Sequence, residues 1–461
     1  TNMQPSAQAQ HFQQVLTAAD AERVIEGLQA FPIADIGSKG WMKQHEDVEK
    51  LNAQAQISIM TQSDEFVVET LIDREKIPTI IFELLAIEAW KEKVLPVMIQ
   101  ELAAEYSVKA YFMLYHEALL VGLLEKTLFH VGALEAGGEC LMELADYCYR
   151  RLAFLTTIDP ETVGEGEATS EALEEEAITT LNRQHLNIQF GVGISALTLV
   201  RFLTENTAAL PLGVLTRLLE EQDVLYLLVA LLEQPPWRRA RKGKMEKFSE
   251  GRWSVVDPSD FAKLSKTEAQ VWLAINNLMC DVECRKKYNW DEHKKANVSK
   301  LTKFMNEVLL DQLPLLADLR RTLDQINIMQ PPEAAGSALL IEQVPEMRTQ
   351  LLASIGDPNE MARHIISRHL VMSAEDKRQE LARLAQVYGA NDFEEFMEDP
   401  KCSACGKPAE KRCSRCKSEV RSTPTSLTLL AMPLHSTSIS LHLTLFSPPL
   451  SSLHTPLPSP P

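Results

Sequence analysis

Four cysteines near the end of the chain carry the clearest chemistry. They read Cys402-Ser403-Ala404-Cys405, seven residues, then Cys413-Ser414-Arg415-Cys416. A CxxC turn lets two thiolates grip one ion in tetrahedral geometry at about 2.3 Å per Zn–S bond, so two such knuckles this close point to zinc. Lys401, Lys407, Lys411, Arg412, Arg415 and Lys417 surround them with positive charge that favours the thiolates. A redox CxxC is the rival, but it needs a thioredoxin-like βαβ setting that the flanking sequence does not offer.

Other candidate groups are weaker. Cys140, Cys148, Cys280 and Cys284 fall in helical-looking stretches. Cys280 and Cys284, one turn apart, read as helix-packing residues rather than metal ligands. Gly191-Val192-Gly193 is a GxG with neither a preceding strand nor the third glycine of a dinucleotide fingerprint, and reads as close helix packing. His364 and His369 are five apart and do not share an α-helical face as an i,i+4 zinc pair would. His116, beside Glu117, reads as a partly buried helix residue. Gly-x-Ser-x-Gly, P-loop and HExxH motifs are absent. No catalytic residue or organic cofactor site emerges, and the expectation is a protein without enzymatic activity.

The elements that must position these groups are helices. Leu84, Ile87, Trp90, Val94 and Met98 recur at steps of three and four. Ser265-Lys266-Thr267-Glu268 forms a capping box ahead of Val271, Trp272, Ile275 and Leu278. Ser373 to Asp376 precedes Leu381, Leu384 and Tyr388, and Gly389 supplies a stop. No strand ladder shows itself. The expected fold is all-α, an armadillo/HEAT-like helical stack, with an irregular helical bundle as the alternative. The expected divisions are an N-terminal helical region 1–158, an acidic linker 159–170, a second helical region 171–330, a C-terminal helical region 331–398, a zinc-finger segment 399–420 and a tail 421–461. Within the second region a basic insert, 235–258, carries Trp237, Arg238, Arg239, Arg241, Lys242, Lys244, Lys247, Arg252 and Trp253. Bases with aromatics can contact RNA. The reading preferred here is a long loop or two-stranded ribbon pinned to the helices by its tryptophans.

Composition narrows the function classes. Of 461 residues 45% are hydrophobic, enough for a sizeable core, and the net charge is −18. So acidic a body lacks the positive footprint of a nucleic-acid binder. Ile77 to Met98 comes nearest to a membrane span, but Glu83, Glu88, Lys91, Glu92 and Lys93 interrupt it. No apolar leader stands near Thr1. The expectation is a cytoplasmic protein that binds other proteins, neither nucleic acid nor membrane, with its oligomeric state left open.

The cysteine pattern, with Glu410-Lys411-Arg412 before the second knuckle and Lys417-Ser418-Glu419 after it, resembles the first half of a MYND zinc finger. The body resembles one helical MYND-finger family in several stretches. They are Gly40 to Glu46, Glu49 to Asn52, Pro235-Pro236-Trp237, Gly251-Arg252-Trp253, Leu264-Ser265-Lys266 with Gln270-Val271-Trp272, and Leu309 to Pro314. The likeness runs from about residue 17 to Glu419. It implies a scaffold in cytoplasmic preassembly of axonemal dynein arms in ciliated cells. The implied partners are other assembly factors, heat-shock chaperones and dynein chains. The implied place is the cytoplasm, in centriolar satellites or the apical cytoplasm. Because MYND fingers also serve co-repressors and SET-type lysine methyltransferases, these are the alternatives.

An intact MYND finger holds two interleaved zinc ions on eight ligands, and here the pattern departs after Glu419. Cys402 and Cys405 would share one zinc, and Cys413 and Cys416 the other, with ligands this chain does not carry. At most one zinc is expected, gathered by the four remaining thiolates. The segment from Arg421 to Pro461 is nearly all Ser, Leu, Pro, Thr and His, and reads as translated intron and disordered.

Overall fold

The computed structural model describes residues 14–102, 107–164, 177–328 and 346–371. It is an all-α helical stack, as the periodicity indicates, with one small sheet among the described residues. The Ala177–Glu205 helix lies at the centre and packs against the Ser107–Thr127, Cys140–Thr157 and Lys266–Cys280 helices. A single apolar core runs from Ala21 to Leu370. Thr179–Glu205 is long and apolar enough to cross a membrane, and 72% of its apolar window is buried inside the protein. It, rather than Ile77 to Met98, is the most membrane-like segment described.

Local rules place the ends of the helices. Ser38 accepts from the Trp41 N–H at 3.2 Å and starts the Lys39–Thr61 helix. The expected capping box at Ser265 is present, with both reciprocal hydrogen bonds to Glu268 formed. Gly193 shows why a GxG sits inside the central helix. A Cβ there would stand 2.8 Å from the buried Leu155 side chain, so glycine permits the close helix approach.

The basic insert departs from the expected loop or two-stranded ribbon. It is a three-stranded antiparallel sheet of β1 (Arg238–Arg241), β2 (Lys244–Ser249) and β3 (Arg252–Val255). Arg241 pairs with Lys244 and Ser249 with Arg252, so both connections have two residues. Lys242 and Gly243 have φ of 50° and 73°, and Glu250 and Gly251 have 53° and 77°. Left-handed backbone at both loop positions is the type I′ signature, whose twist matches that of the flanking strands.

The chain ends its described course where it began. The Met347–Ile355 helix packs on the Ile77–Lys93 helix, and the Pro358–Ile365 helix packs on Leu95–Glu101. Arg348 pairs with Glu88 and Glu92, and its backbone N–H donates to Glu143. His369 Nε2 meets the Ala34 carbonyl at 2.9 Å, and Lys109 Nζ donates to the His369 carbonyl at 2.6 Å.

Candidate functional site

Cys402, Cys405, Cys413 and Cys416 lie outside the described residues, as do the Ser373 helix start, Gly389 and the tail. Among the described residues no cluster of three or more His, Cys, Asp or Glu could hold a metal ion. Cys280 and Cys284 do not share a helix. Asp281 ends one helix and caps the next, accepting from the Cys284 N–H at 2.8 Å. Burial pushes the Cys284 thiol up to about 12 and the Cys148 thiol well above the usual range. Burial also raises Cys140 and Cys280. Thiols held protonated in this way are poor nucleophiles and poor ligands.

A set of buried polar groups, of which the sequence singled out only His116 as a candidate, lies in the first half. His116 is fully buried, not partly so, and its Nδ1 stands 3.1 Å from Nδ1 of the buried His45. One ring must donate and the other accept, so the accepting ring is neutral. Burial, and then the neighbouring Lys91, holds His116 down at about 3. Burial, then His116, depresses His45 in the same direction. Trp41 covers the pair, 4.5 Å from the His116 ring centre.

Beside the pair, from Glu117, the residue after His116, runs a buried chain of charges. Lys91 Nζ donates to Glu117 at 2.6 Å and to the Leu114 carbonyl at 2.7 Å. Tyr147 donates to the other Glu117 oxygen at 2.7 Å, and Arg151 lies 3.6 Å from it. Glu88 accepts from Arg150 and Arg151 at 2.6 and 3.1 Å. Burial pushes the Glu117 carboxyl up, but Lys91 and Arg151 overcome it and hold it at about 2. Every member is spoken for by another, and Lys91 and Glu117 are sealed from water. The arrangement ties three helices together, and no reacting molecule could reach its centre.

The basic insert spends much of its charge inward. The buried Trp237 donates to Glu268 at 3.1 Å, and Arg238 Nε donates to the same oxygen at 2.5 Å. Lys247 donates to the Phe261 and Lys263 carbonyls at 2.8 and 2.7 Å. The Arg239 guanidinium lies 3.9 Å above the Trp253 ring, pairs with Glu246 at 2.6 Å and donates to the Val163 carbonyl. These bases serve as anchors of the sheet, and a stacking platform for nucleic acid would need its aromatic faces open.

His364 and His369 correct another expectation. Their rings meet edge to face at 5.7 Å, because the backbone widens into a π-turn at Ile366–Leu370, closed by the Val371 N–H on the Ile366 carbonyl. Residues five apart then share a face. His369 is held by Ala34, and two imidazoles alone make no metal centre.

The comparisons with known proteins bear out the resemblance read from the sequence. The chain is similar to the zinc finger MYND domain-containing protein 10 homolog of Drosophila melanogaster, 28% identical over 418 residues that cover 85% of this chain and 92% of the relative. No family model matches the chain, and no solved structure matches it.

Proposed function

From this similarity to the fly zinc finger MYND domain-containing protein 10 homolog, we propose that the chain is a non-enzymatic scaffold that binds other proteins. The observation that carries the proposal is the extent of the likeness, which covers 85% of the chain and so takes in most of the helical body. The helical body supports it in a second way. A polar cluster in it is buried and mutually paired, as befits a rigid support and not a reaction centre.

The finer reading follows the family resemblance. The scaffold serves cytoplasmic preassembly of axonemal dynein arms in ciliated cells, alongside other assembly factors, heat-shock chaperones and dynein chains. The inward use of Arg238, Arg239 and Lys247 supports partners that are proteins rather than nucleic acids. Affinity purification from ciliating cells with mass spectrometry is the test. Recovery of dynein chains and chaperones is expected; recovery of histones or repressor complexes instead would overturn the reading.

The finger segment adds zinc. Cys402, Cys405, Cys413 and Cys416 would together hold at most one ion, through four thiolates in tetrahedral geometry. Metal analysis of the purified chain should find no more than one zinc, lost in Cys413→Ala. Two tightly held zinc ions would refute this.

A further inference from the structure

A pocket opens where the three-stranded sheet meets the helical body, apart from the buried charge chain. It is about 40 Å³, room for roughly three water molecules or one small polar head group. Glu125 comes from the Ser107–Thr127 helix, Ile194, Ser195 and Thr198 from the central helix, Phe248 from β2, and Gln270 from the Lys266–Cys280 helix. Glu125 is 1% exposed, and its Oε2 has no hydrogen-bond partner among the described residues. The buried Oε1 of Gln270 also has none.

The lining is lopsided in its chemistry. A carboxylate oxygen, an amide oxygen and the two hydroxyls of Ser195 and Thr198 can all accept. Ile194 and Phe248 give it apolar wall. At the rim Lys266 stands 3.7 Å from Glu250, so the one cation of the lining is already paired. A buried acceptor left without a donor is destabilising, the more so when charged. Ser195 and Thr198 hydrogen-bond the Glu125 carboxyl, so the group still wanting a donor is its Oε2; an anion would meet two carboxylates there, and an apolar group would leave that oxygen without one.

We propose that this pocket receives a primary ammonium group on an unbranched alkyl stem, of the kind a lysine side chain carries, with Glu125 as its counter-charge. An ammonium brings three donors. Glu125 Oε2, Gln270 Oε1 and a hydroxyl of Ser195 or Thr198 supply three acceptors, while the methylenes pass Phe248 and Ile194. Lys266 at the mouth is the incoming group's competitor.

The test is a ligand-observed NMR titration of the full chain with Nα-acetyl-lysine methylamide, whose small size sets an expected Kd on the order of 1 mM. The isosteric Glu125→Gln should weaken binding about tenfold or more, the scale of a lost charge-assisted hydrogen bond. Lys266→Ala, at the partly exposed rim, should tighten it about twofold to fivefold by removing the competitor. The norleucine analogue, which lacks the ammonium, should not bind. Putrescine distinguishes the source. Tighter binding of the lysine derivative assigns the pocket to a protein partner, and tighter binding of putrescine assigns it to free polyamines; either keeps the ammonium site. Equal binding of the norleucine analogue, binding undiminished in Glu125→Gln, unchanged or weaker binding in Lys266→Ala, or no saturable binding would each overturn the proposal and leave a hydrated pocket only.

Discussion

Replacing Glu268 by alanine should cost the body more than any other single carboxylate change in the second half. Glu268 is 2% exposed and serves four groups. One oxygen accepts from Trp237 Nε1 at 3.1 Å and from Arg238 Nε at 2.5 Å. The other accepts from the Ser265 N–H at 2.8 Å and lies 3.7 Å from Lys247 Nζ. Trp237 is fully buried, so its N–H has no water to turn to, a loss of about 1–3 kcal/mol. Half of the capping box goes as well, worth about 0.5–2 kcal/mol. Arg238 is 30% exposed and can hydrate, and Lys247 keeps its two carbonyl partners, so neither adds its full desolvation penalty. The expected loss is about 3 kcal/mol. For a cooperative unit of about 300 residues, unfolding entropy near 0.6 kcal/mol/K turns this into a fall of roughly 5 °C in melting temperature. Scanning calorimetry of Glu268→Ala beside Arg238→Ala is the assay. Arg238→Ala should cost less than about 1 kcal/mol. A drop in Glu268→Ala below about 1 °C, or one no larger than in Arg238→Ala, would refute the view that this carboxylate binds the sheet to the helices.

Three further outcomes follow from the same structure. Gly243→Ala meets open space, so its cost is only that of left-handed backbone, about 1 kcal/mol by urea denaturation. Burial raises Glu83 to about 8 and Glu125 to about 7, against the pull of their hydrogen-bonding neighbours. Acids with raised folded-state values stabilise the fold below the ordinary carboxylate range and lose that contribution as pH climbs through 7 and 8, so urea midpoints should fall from about pH 5 to about pH 9, less steeply in Glu83→Gln. Iodoacetamide at neutral pH should leave Cys148 and Cys284 unmodified until the chain unfolds, as read by peptide mass spectrometry, because burial holds both thiols protonated.

Local signals were legible in the sequence where they are strong and short-range. The Ser265 capping box follows from a few adjacent residues, and the all-α class follows from period; the GxG marks a close helix approach but not its partner, Leu155, on another helix. The sheet was equally local, written in the two Xaa-Gly turns Lys242-Gly243 and Glu250-Gly251, which lie inside a run of bases without alternating apolar residues around them. The π-turn under His364 and His369 has no such signal, since it depends on how the last helix docks. The buried charges failed for a different reason. Glu83, Glu88 and Lys91 interrupt the apolar run from Ile77 with nothing nearby in sequence to mark them as buried, yet all three are buried. Lys91 is answered by Glu117, Glu88 by Arg150, and Glu83 by the Phe31 N–H, each from another element. No window along the chain contains both halves of such a pair. The cysteine knuckles stand apart: the zinc proposed for them rests on their spacing alone.

The return of the Met347–Ile355 helix to the Ile77–Lys93 helix sets a clock on synthesis. Arg348 emerges from the ribosome about 250 residues after the partner helix, a delay of roughly 13–50 s at ordinary elongation rates. Leu351, Ile355, Ala362 and Ile365, all buried in the finished protein, arrive just as late. Throughout that interval the first helices are complete but uncovered on one flank, and a nascent chain in that condition is a substrate for whatever holds unfinished proteins. A stop before residue 347 leaves that flank bare for good. The damage from such a truncation would be felt farthest from the cut, among the earliest helices to be made.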